Sequence, residues 1–464
     1  MMSQNIPLRN IDTNPESSRL MDKIHTRSFK GYFRRLRILG GALLFTLYFG
    51  TVWLTWGDRQ AVFWDLSEKQ FHIFGSTFWP QDLVLLSAIL IICAFGLFFL
   101  TVLAGRVWCG YTCPQSVWTW IFMWAEKVTE GDRNQRIKLD RAPMTAGKFL
   151  KRTQKHTLWL LISLATAVTF VGYFTPIREL VSNLVTLEVG KMALFWVFFF
   201  TAATYINAGW LREKVCLHMC PYGRFQSSML DQDSLVITYD AARGESRGPR
   251  KKGADYKSDG LGDCIDCQMC VQVCPTGIDI RDGLQMECIG CAACIDACDS
   301  VMDKMGYSTG LIRYTSERAL EGRDLRIVRP RMLGYAVVLF AMFATFSWAI
   351  VSRPMLTLDI EKDRGLFRYN AEGHIENSYV LKILNKSQQS QSYEIGVSGV
   401  DGLHLSSAAT GTVGAGERVE LPVSVSVPPE SLGSEVSTLN FHLQSVEDPA
   451  MKLVENSKFT GTIR

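Results

Sequence analysis

Residues 264–280 read CIDCQMCVQVCPTGIDI, in which the cysteines follow the spacing C-x2-C-x2-C-x3-C-P. Residues 288–300 read CIGCAACIDACDS and repeat that cysteine spacing. Paired runs of this kind are typical of small electron carriers that hold cubane iron–sulfur clusters on thiolates. The two runs therefore predict a domain of the two-cluster ferredoxin type.

The cluster ligands follow from how such runs share their cysteines. In two-cluster ferredoxins the fourth cysteine of each run ligates the cluster of the other run. One 4Fe-4S cluster is thereby assigned to Cys264, Cys267, Cys270 and Cys298, and the other to Cys288, Cys291, Cys294 and Cys274. A pair of zinc knuckles stays open as an alternative, because thiolate tetrads also bind zinc. Asp299 stands where a proline often follows the last ligand, which weakens the pattern without removing a ligand.

Long apolar stretches set this chain apart from soluble ferredoxins. Of its 464 residues 47% are apolar, and the net charge of +4 does not indicate nucleic-acid binding. A membrane-spanning helix needs about 20 apolar residues, and five stretches qualify: 38–57, 83–105, 157–177, 192–211 and 332–352. The sequence therefore predicts a multi-pass membrane protein with about five spans.

Basic residues predict its orientation, because Lys and Arg are retained on the cytoplasmic side. Nine lie between residues 127 and 155, against two in each of the loops 58–82 and 178–191. The N-terminus and both cysteine runs are then cytoplasmic, and the tail after Arg353 is periplasmic. Residues 107–125 are also uncharged; we interpret them as an interfacial or re-entrant helix, with a sixth span as the alternative.

Two further cysteine pairs have the form CxxxCP. Cys109 and Cys113 precede Pro114, Cys216 and Cys220 precede Pro221, and each pair follows the cytoplasmic end of a predicted span. Proline favours the first position of a helix, so Cys113 and Cys220 are predicted helix caps whose thiol pKa the helix dipole lowers. Such thiols, with His218 and Met219, are candidate copper ligands. The alternative is that these cysteines only pack at the membrane surface. Cys93, the one cysteine within a predicted span, is interpreted as a packing residue of that span.

The tail changes character after Arg353, where cysteine and tryptophan are absent and apolar residues alternate. Val419, Leu421, Val423, Val425 and Val427 share one strand face, and Leu439, Phe441 and Leu443 share another. Short alternating strands predict an all-β, immunoglobulin-like sandwich. The predicted organisation is a cytoplasmic segment 1–37, a membrane core 38–230, a linker (240–263) and ferredoxin-like domain within 231–331, a last span 332–352 and a periplasmic domain 353–464.

Other redox and energy motifs are absent from the sequence. There is no C-x-x-C-H for attached haem, no dinucleotide fingerprint and no P-loop. Twelve of the 13 cysteines fall at predicted cytoplasmic positions, where thiols stay reduced and available as metal ligands. The chain is therefore predicted to conduct electrons to a metal site.

In the order of its motifs, this chain resembles the cytochrome c oxidase accessory protein family CcoG, also named FixG or RdxA. The resemblance implies a bacterial inner-membrane cupric reductase that supplies copper(I) for assembly of cbb-type oxidase. It makes Cys109, Cys113, Cys216 and Cys220 the copper-handling residues and implies two 4Fe-4S clusters as cofactors. Implied partners are oxidase assembly factors or copper chaperones, membrane lipid, and a cytoplasmic or quinol electron donor.

Two alternatives to cupric reduction stay open at this point. The membrane core also resembles the quinol-oxidising NapH and NosR families, which would make the chain an electron conduit for another redox enzyme. The other alternative is a copper chaperone or assembly scaffold in which the clusters are only structural.

Overall fold

The computed structural model describes residues 23–462, apart from residues 58, 325, 366, 388, 407–409 and 447–450. The chain forms two compact units. The first unit contains Met1–Leu54 and Leu86–Thr345, and the second contains Thr55–Leu85 and Phe346–Arg464. The first 22 residues of the predicted N-terminal segment lie outside the described residues.

Most of the first unit is helical. The helices are α1 Tyr32–Thr51, α2 Leu83–Ala104, α3 Val107–Tyr111, α4 Pro114–Glu130, α5 Arg133–Arg141, α6 Ala146–Val171, α7 Ile177–Thr186, α8 Lys191–Thr204, α9 Pro221–Phe225, α10 Ala241–Gly244, α11 Met269–Gln272, α12 Ala293–Met305, α13 Glu317–Leu320 and α14 Pro330–Val351. Two π-helical segments, Tyr205–Leu211 and Val215–Met219, follow α8. The predicted linker 240–263 is mostly irregular, with α10 at its start.

Three of the five predicted spans form helices that are long and apolar enough to cross a membrane. Within the described ranges these are Pro80–Ala104, Lys191–Leu211 and Pro330–Val351. The limits of the other two predictions were wrong. The helix placed at 38–57 is α1, which begins among the arginines and ends at Thr51, and the one placed at 157–177 is α6, after which residues 172–176 form a turn. The number of spans and their sidedness stay predictions.

A carboxylate from a distant helix caps the start of α1. The preceding residue, Gly31, has no side chain that could accept the first N–H groups. Asp296 on α12 accepts hydrogen bonds from the backbone N–H groups of Phe33 at 3.1 Å and Arg34 at 2.8 Å. Because helix N-termini carry a partial positive charge, this contact stabilises both partners. It attaches α1 to the segment that contains the second cysteine run.

Strands form five sheets among the described residues. They are β1 Thr55–Trp56, β2 Arg59–Gln60, β3 Val62–Asp65, β4 Gln70–Ile73, β5 Ser76–Phe78, β6 Val236–Tyr239, β7 Ile312–Thr315, β8 Leu356–Lys362, β9 Arg368–Tyr369, β10 Ile375–Asn385, β11 Gln391–Ser398, β12 His404–Leu405, β13 Thr410–Val413, β14 Arg418–Val427, β15 Val436–Ser445 and β16 Lys452–Thr460. In the first unit β6 pairs antiparallel with β7, so this two-stranded sheet joins the two ends of the segment that holds both cysteine runs.

The second unit confirms the all-β prediction for the tail. One sheet has the order β12-β14-β10-β8, with β9 also paired to β10, and the other has the order β13-β11-β15-β16. Val423, Val425 and Val427 are buried on β14 as the alternation predicted, and Leu439, Phe441 and Leu443 on β15 are fully buried. The second unit also contains β1, which lies within the predicted span 38–57, and β2–β5 from the loop 58–82; the sequence analysis did not group these strands with the tail.

Asp82 holds two cations within the second unit. Its Oδ2 accepts from Nη2 of Arg353 at 2.5 Å, and its Oδ1 accepts from Nζ of Lys386 at 2.8 Å. The side chains of Asp82 and Lys386 are 8% and 4% exposed. This triad fastens the loop that contains β2–β5 to the tail, because Arg353 and Lys386 both belong to the tail.

We expect Asp82→Asn to destabilise the second unit by about 3–5 kcal/mol, because it leaves two buried cations without their counter-ion. Calorimetry of the purified chain would measure the transition of this unit. Glu376→Gln is the matched control: its partner Arg368 is 64% exposed, and exposed ion pairs contribute little. Equal effects of the two variants would contradict the role given to the triad.

Candidate functional site

The eight cysteines of the two runs separate into two groups, and each group includes one cysteine from the other run. Burial raises the pKa of Cys298, and the charges of Cys270, Cys267 and Cys264 raise it further. Burial likewise raises the pKa of Cys294, and the charges of Cys291, Cys288 and Cys274 raise it further, with a smaller effect of Cys270 from the first group. This grouping supports the crossed ligand assignment, which itself stays a prediction.

The second group surrounds a small cavity of about 20 Å³. Besides Cys274, Cys288, Cys291 and Cys294, its lining contains Cys270 of the first group, Thr276, several isoleucines and two alanines. Backbone N–H groups of Thr276 and Ile278 lower the pKa of Cys274 against the larger effect of burial, which raises it. An apolar cavity with convergent thiols and N–H donors to sulfur fits an iron–sulfur cluster.

The zinc alternative is weighed by the pattern of the cysteines. Among the described residues, no three His, Cys, Asp or Glu side chains converge closely enough to hold a single ion, either in the two cysteine runs or in the CxxxCP pairs. The preference for iron–sulfur clusters therefore rests on the paired C-x2-C-x2-C-x3-C spacing, which is typical of them.

The two runs have matching backbone conformations. The residues before the second cysteine, Asp266 and Gly290, have φ of 51° and 66°, and those after it, Gln268 and Ala292, have φ of 53° and 56°. Three of these four are not glycine, although left-handed conformations are strained for other residues. Gln268 and Ala292 precede α11 and α12, so the strain lies where each run turns from its loop into a helix.

The first CxxxCP pair lies directly against the second run. A methyl group added at Gly110 would be 2.7 Å from the carbonyl oxygen of Gly290 and 2.8 Å from Cα of Cys291, so only glycine fits there. Cys109, next to Gly110, packs against the apolar cluster that contains Cys291. The two backbones are therefore in van der Waals contact.

Arg106 joins the second run to both CxxxCP pairs. Its Nη1 donates to the carbonyl oxygen of Cys288 at 3.1 Å and also to that of Met286. Its Nη2 donates to the carbonyl oxygen of Gly223, in the helix that follows Cys220, at 2.6 Å. One side chain thus connects three segments that carry predicted ligands.

The four CxxxCP thiols form one group. Cys113 and Cys220 are the N-terminal caps of α4 and α9, as predicted. Burial raises the pKa of Cys109 to about 12, and the charges of Cys113, Cys216 and Cys220 add to the effect. Burial also raises the pKa of Cys216 to about 12. Without a bound metal, Cys109 and Cys216 are therefore protonated thiols at neutral pH.

The structure does not place every sequence candidate in this group. His218 and Met219 lie on the π-helical segment between Cys216 and Cys220, but both are exposed, unlike the half-buried thiols. Cys93 is exposed on α2, which is long and apolar enough to cross a membrane, and its packing interpretation stays a prediction.

Sequence analysis did not single out Arg37. Arg37 is 7% exposed, and its guanidinium lies 4.4 Å from the ring centre of Trp120. Its Nη2 donates to the carbonyl oxygen of Cys291 at 2.7 Å. Two more donors, Nε and Nη1, are buried without a hydrogen-bond partner in the described part of the chain. A buried cation beside the second cysteine group stabilises negative charge there.

Comparisons with known proteins agree with this geometry. A family described as a 4Fe-4S dicluster domain matches residues 211–317, and one described as the IG-like fold at the C-terminal of FixG matches residues 346–462. The nitrogen fixation protein FixG of Rhizobium meliloti is 37% identical over 86% of this chain and 84% of its own length. The protein RdxA of Cereibacter sphaeroides is 40% identical over 82% of this chain and 84% of its own. The chain belongs to the FixG/RdxA family.

Membership of the FixG/RdxA family and the dicluster match make the chain an iron–sulfur electron-transfer protein. A crystal structure of a FixG-related protein from Vibrio parahaemolyticus is 29% identical and covers 23% of this chain and 97% of that one, with a TM-score of 0.22. The immunoglobulin-like match and the three apolar helices agree with a membrane protein that carries a C-terminal β-domain.

Cys298→Ser should damage the cluster formed with Cys264, Cys267 and Cys270, because the structure groups Cys298 with them. Iron and acid-labile sulfide content, with low-temperature electron paramagnetic resonance, would show which cluster is lost. Cys93→Ser, which changes an exposed cysteine on α2, should keep both signals. Loss of the other cluster instead would show that each run binds its own.

Arg37→Gln should lower the midpoint potential of the cluster held by Cys291, because removal of a buried positive charge disfavours the reduced, more negative state. The other cluster should change little. Arg37→Lys keeps the charge and should retain most of the parent potential. A redox titration followed by electron paramagnetic resonance measures both potentials, and equal potentials in parent and glutamine variant would exclude this electrostatic role.

Proposed function

We propose that this FixG/RdxA-family chain reduces copper(II) to copper(I) on the four CxxxCP thiols and supplies copper(I) for assembly of a cbb-type oxidase. One observation carries the proposal. The segment with Cys109 is in van der Waals contact with the segment that contains Gly290 and Cys291. Copper bound there would be next to the second cysteine group, which favours direct electron transfer.

The chemistry of the thiols supports copper(I) as the product. Soft sulfur ligands favour copper(I) over copper(II). Each copper(II) ion accepts one electron from a reduced cluster, so two clusters supply up to two electrons before an external donor must reduce them again. Because Cys109 and Cys216 are protonated when free, binding through their thiolates releases protons.

The proposed setting is the bacterial inner membrane, with the clusters on the cytoplasmic side. Two features support it. The basic residues concentrate between 127 and 155, and the loop 58–82 shares a compact unit with the tail, as expected if both lie in the periplasm. Oxidase assembly factors or copper chaperones are the proposed recipients, and a cytoplasmic reductant or quinol is the proposed electron donor.

Replacing one thiol pair, by Cys109→Ala with Cys113→Ala or by Cys216→Ala with Cys220→Ala, should slow copper(I) formation while the iron content stays at the parent value. A colorimetric copper(I) chelator under anaerobic conditions measures the rate, with chemically reduced protein as the only electron source. A chain that binds copper(I) but reduces no copper(II) would be a chaperone and not a reductase.

Two glycine variants, one of them a control, test the contact between Gly110 and Gly290 without removing any ligand. Gly110→Ala introduces a methyl group that cannot fit against Gly290, whereas Gly147→Ala meets nothing within 4 Å. Only the Gly110 variant should slow copper reduction. If both double cysteine variants and Gly110→Ala reduce copper as fast as the parent, electrons follow another path and the quinol-conduit alternative is favoured.

A further inference from the structure

A second cavity, of about 250 Å³, lies in the first unit at the end of the apolar helix Lys191–Leu211. Its lining is mostly basic and aromatic and includes Lys23, Lys155, Trp159, Trp210, Arg212 and Lys214. Trp210 is 67% exposed, as is usual for tryptophan at a membrane interface. The cavity therefore lies where a membrane helix would reach the lipid headgroups.

Two of the basic side chains are firmly placed in the wall of the cavity. Lys155 and Arg212 are 3% and 5% exposed. Both cations lie against Trp159, with Nζ of Lys155 5.0 Å and Cζ of Arg212 5.4 Å from a ring centre. Nε of Arg212 also donates to the carbonyl oxygen of Gly209 at 2.8 Å. These contacts fix the two charges in position before any ligand binds.

The acidic residues beneath the cavity do not neutralise its basic residues. Glu126 pairs with three cations: Lys23 at 3.2 Å, Arg136 at 2.7 Å and Arg212 at 2.5 Å. Glu130 pairs with two more, Lys155 and Arg152, each at 3.1 Å. Arg152 also pairs with Asp140, and the lining contains Glu213 as well as Lys214. Six cations therefore face four carboxylates, which leaves an excess of two positive charges. The strongest effect on the pKa of Lys155 is burial, which lowers it, and the charge of Lys23 lowers it further.

The cavity also adjoins the second CxxxCP pair. Arg212 lies between the two π-helical segments and has a positive φ of 43°, a strained conformation for a residue with a side chain. Lys214 caps the segment Val215–Met219, which contains Cys216. An anion that bound Arg212 and Lys214 would therefore hold the start of the segment that carries the thiols.

We propose that this cavity binds a phosphate group, supplied by the headgroup of an anionic phospholipid. Basic pockets at the ends of membrane helices are the usual sites for such headgroups. The excess of positive charge selects an anion over a zwitterion, and the exposed Trp210 gives the acyl chains an apolar surface beside the headgroup. The proposal stands independently of copper reduction.

The test uses the full chain, purified in detergent and depleted of lipid. Native mass spectrometry and thermal unfolding would follow titration with phosphatidylglycerol, phosphatidylcholine or inorganic phosphate. Phosphatidylglycerol should bind and raise the melting temperature more than phosphatidylcholine. Lys23→Gln with Lys155→Gln should lower its affinity, by roughly fivefold for each lysine at about 1 kcal/mol per charge.

Lys151→Gln is the matched control, because Lys151 is exposed on the same helix as Lys155. This variant should leave the affinity for phosphatidylglycerol unchanged. Should the double variant fail to fold, Lys23→Gln alone still tests the site, since this side chain is 37% exposed. Equal binding of the two lipids, or unchanged affinity in Lys23→Gln, would overturn the proposal. If inorganic phosphate stabilises the chain and phosphatidylglycerol does not, the phosphate group does not come from a lipid. If the cavity binds only an uncharged quinone, and the lysine variants weaken that binding, the cavity does not recognise phosphate.

Discussion

The backbone contact between Gly110 and Gly290 determines the arrangement of the first unit. Neither position has room for a side chain, since an added methyl group at Gly290 would lie 2.9 Å from the carbonyl oxygen of Arg106. The contact brings a CxxxCP segment against a ferredoxin-like run, and Arg106 reinforces it through the carbonyl groups of Cys288 and Gly223. Because both partners are backbone, the distance between these segments cannot vary with side-chain rotation.

Charge is distributed unevenly around the two cysteine groups. At the second group, Arg37 and Arg106 donate to the carbonyl oxygens of Cys291 and Cys288. Near the first group, Arg281 is paired with Asp279 and Asp266, so its charge is largely neutralised. Positive charge favours the reduced state of a cluster. If each group holds a cluster, an electron that they share is therefore favoured at the second one, which is also the one in contact with Cys109.

Part of this organisation could be read from the sequence, where the spacing of residues has a local physical consequence. Alternation placed Val423, Val425 and Val427 in the β-sandwich core, and proline after each CxxxCP placed Cys113 and Cys220 at helix starts. The membrane helices were harder to delimit. In α1 the arginines continue the helix before the apolar stretch, and in α6 polar residues such as Ser163 and Thr169 lie on the buried face, so hydropathy alone did not find their ends.

Other features could not be read from the sequence, because they depend on contacts between distant segments. Arg37 and Cys291 are separated by 254 positions, and no periodicity links them. The number of Lys and Arg residues in a loop predicts its side of the membrane, but it does not show which arginine is buried. His218 and Met219 are predicted copper ligands because they lie between two cysteines, and that prediction stays untested; their exposure on the π-helical turn could not be read from the spacing.

The buried ion pairs near Trp159 connect the N-terminal stretch, the second cysteine group and the second CxxxCP pair. Burial alone raises the pKa of Glu126, but the charges of Arg212 and Lys23 outweigh it, and the pKa falls to about 2. Glu126 therefore stays ionised and holds Arg212, despite its strained backbone, just before the segment with Cys216. Lys23 belongs to the same N-terminal stretch as Phe29, which packs against Cys291. A single N-terminal stretch thus contacts both the second cysteine group and the ion cluster that positions the second CxxxCP pair.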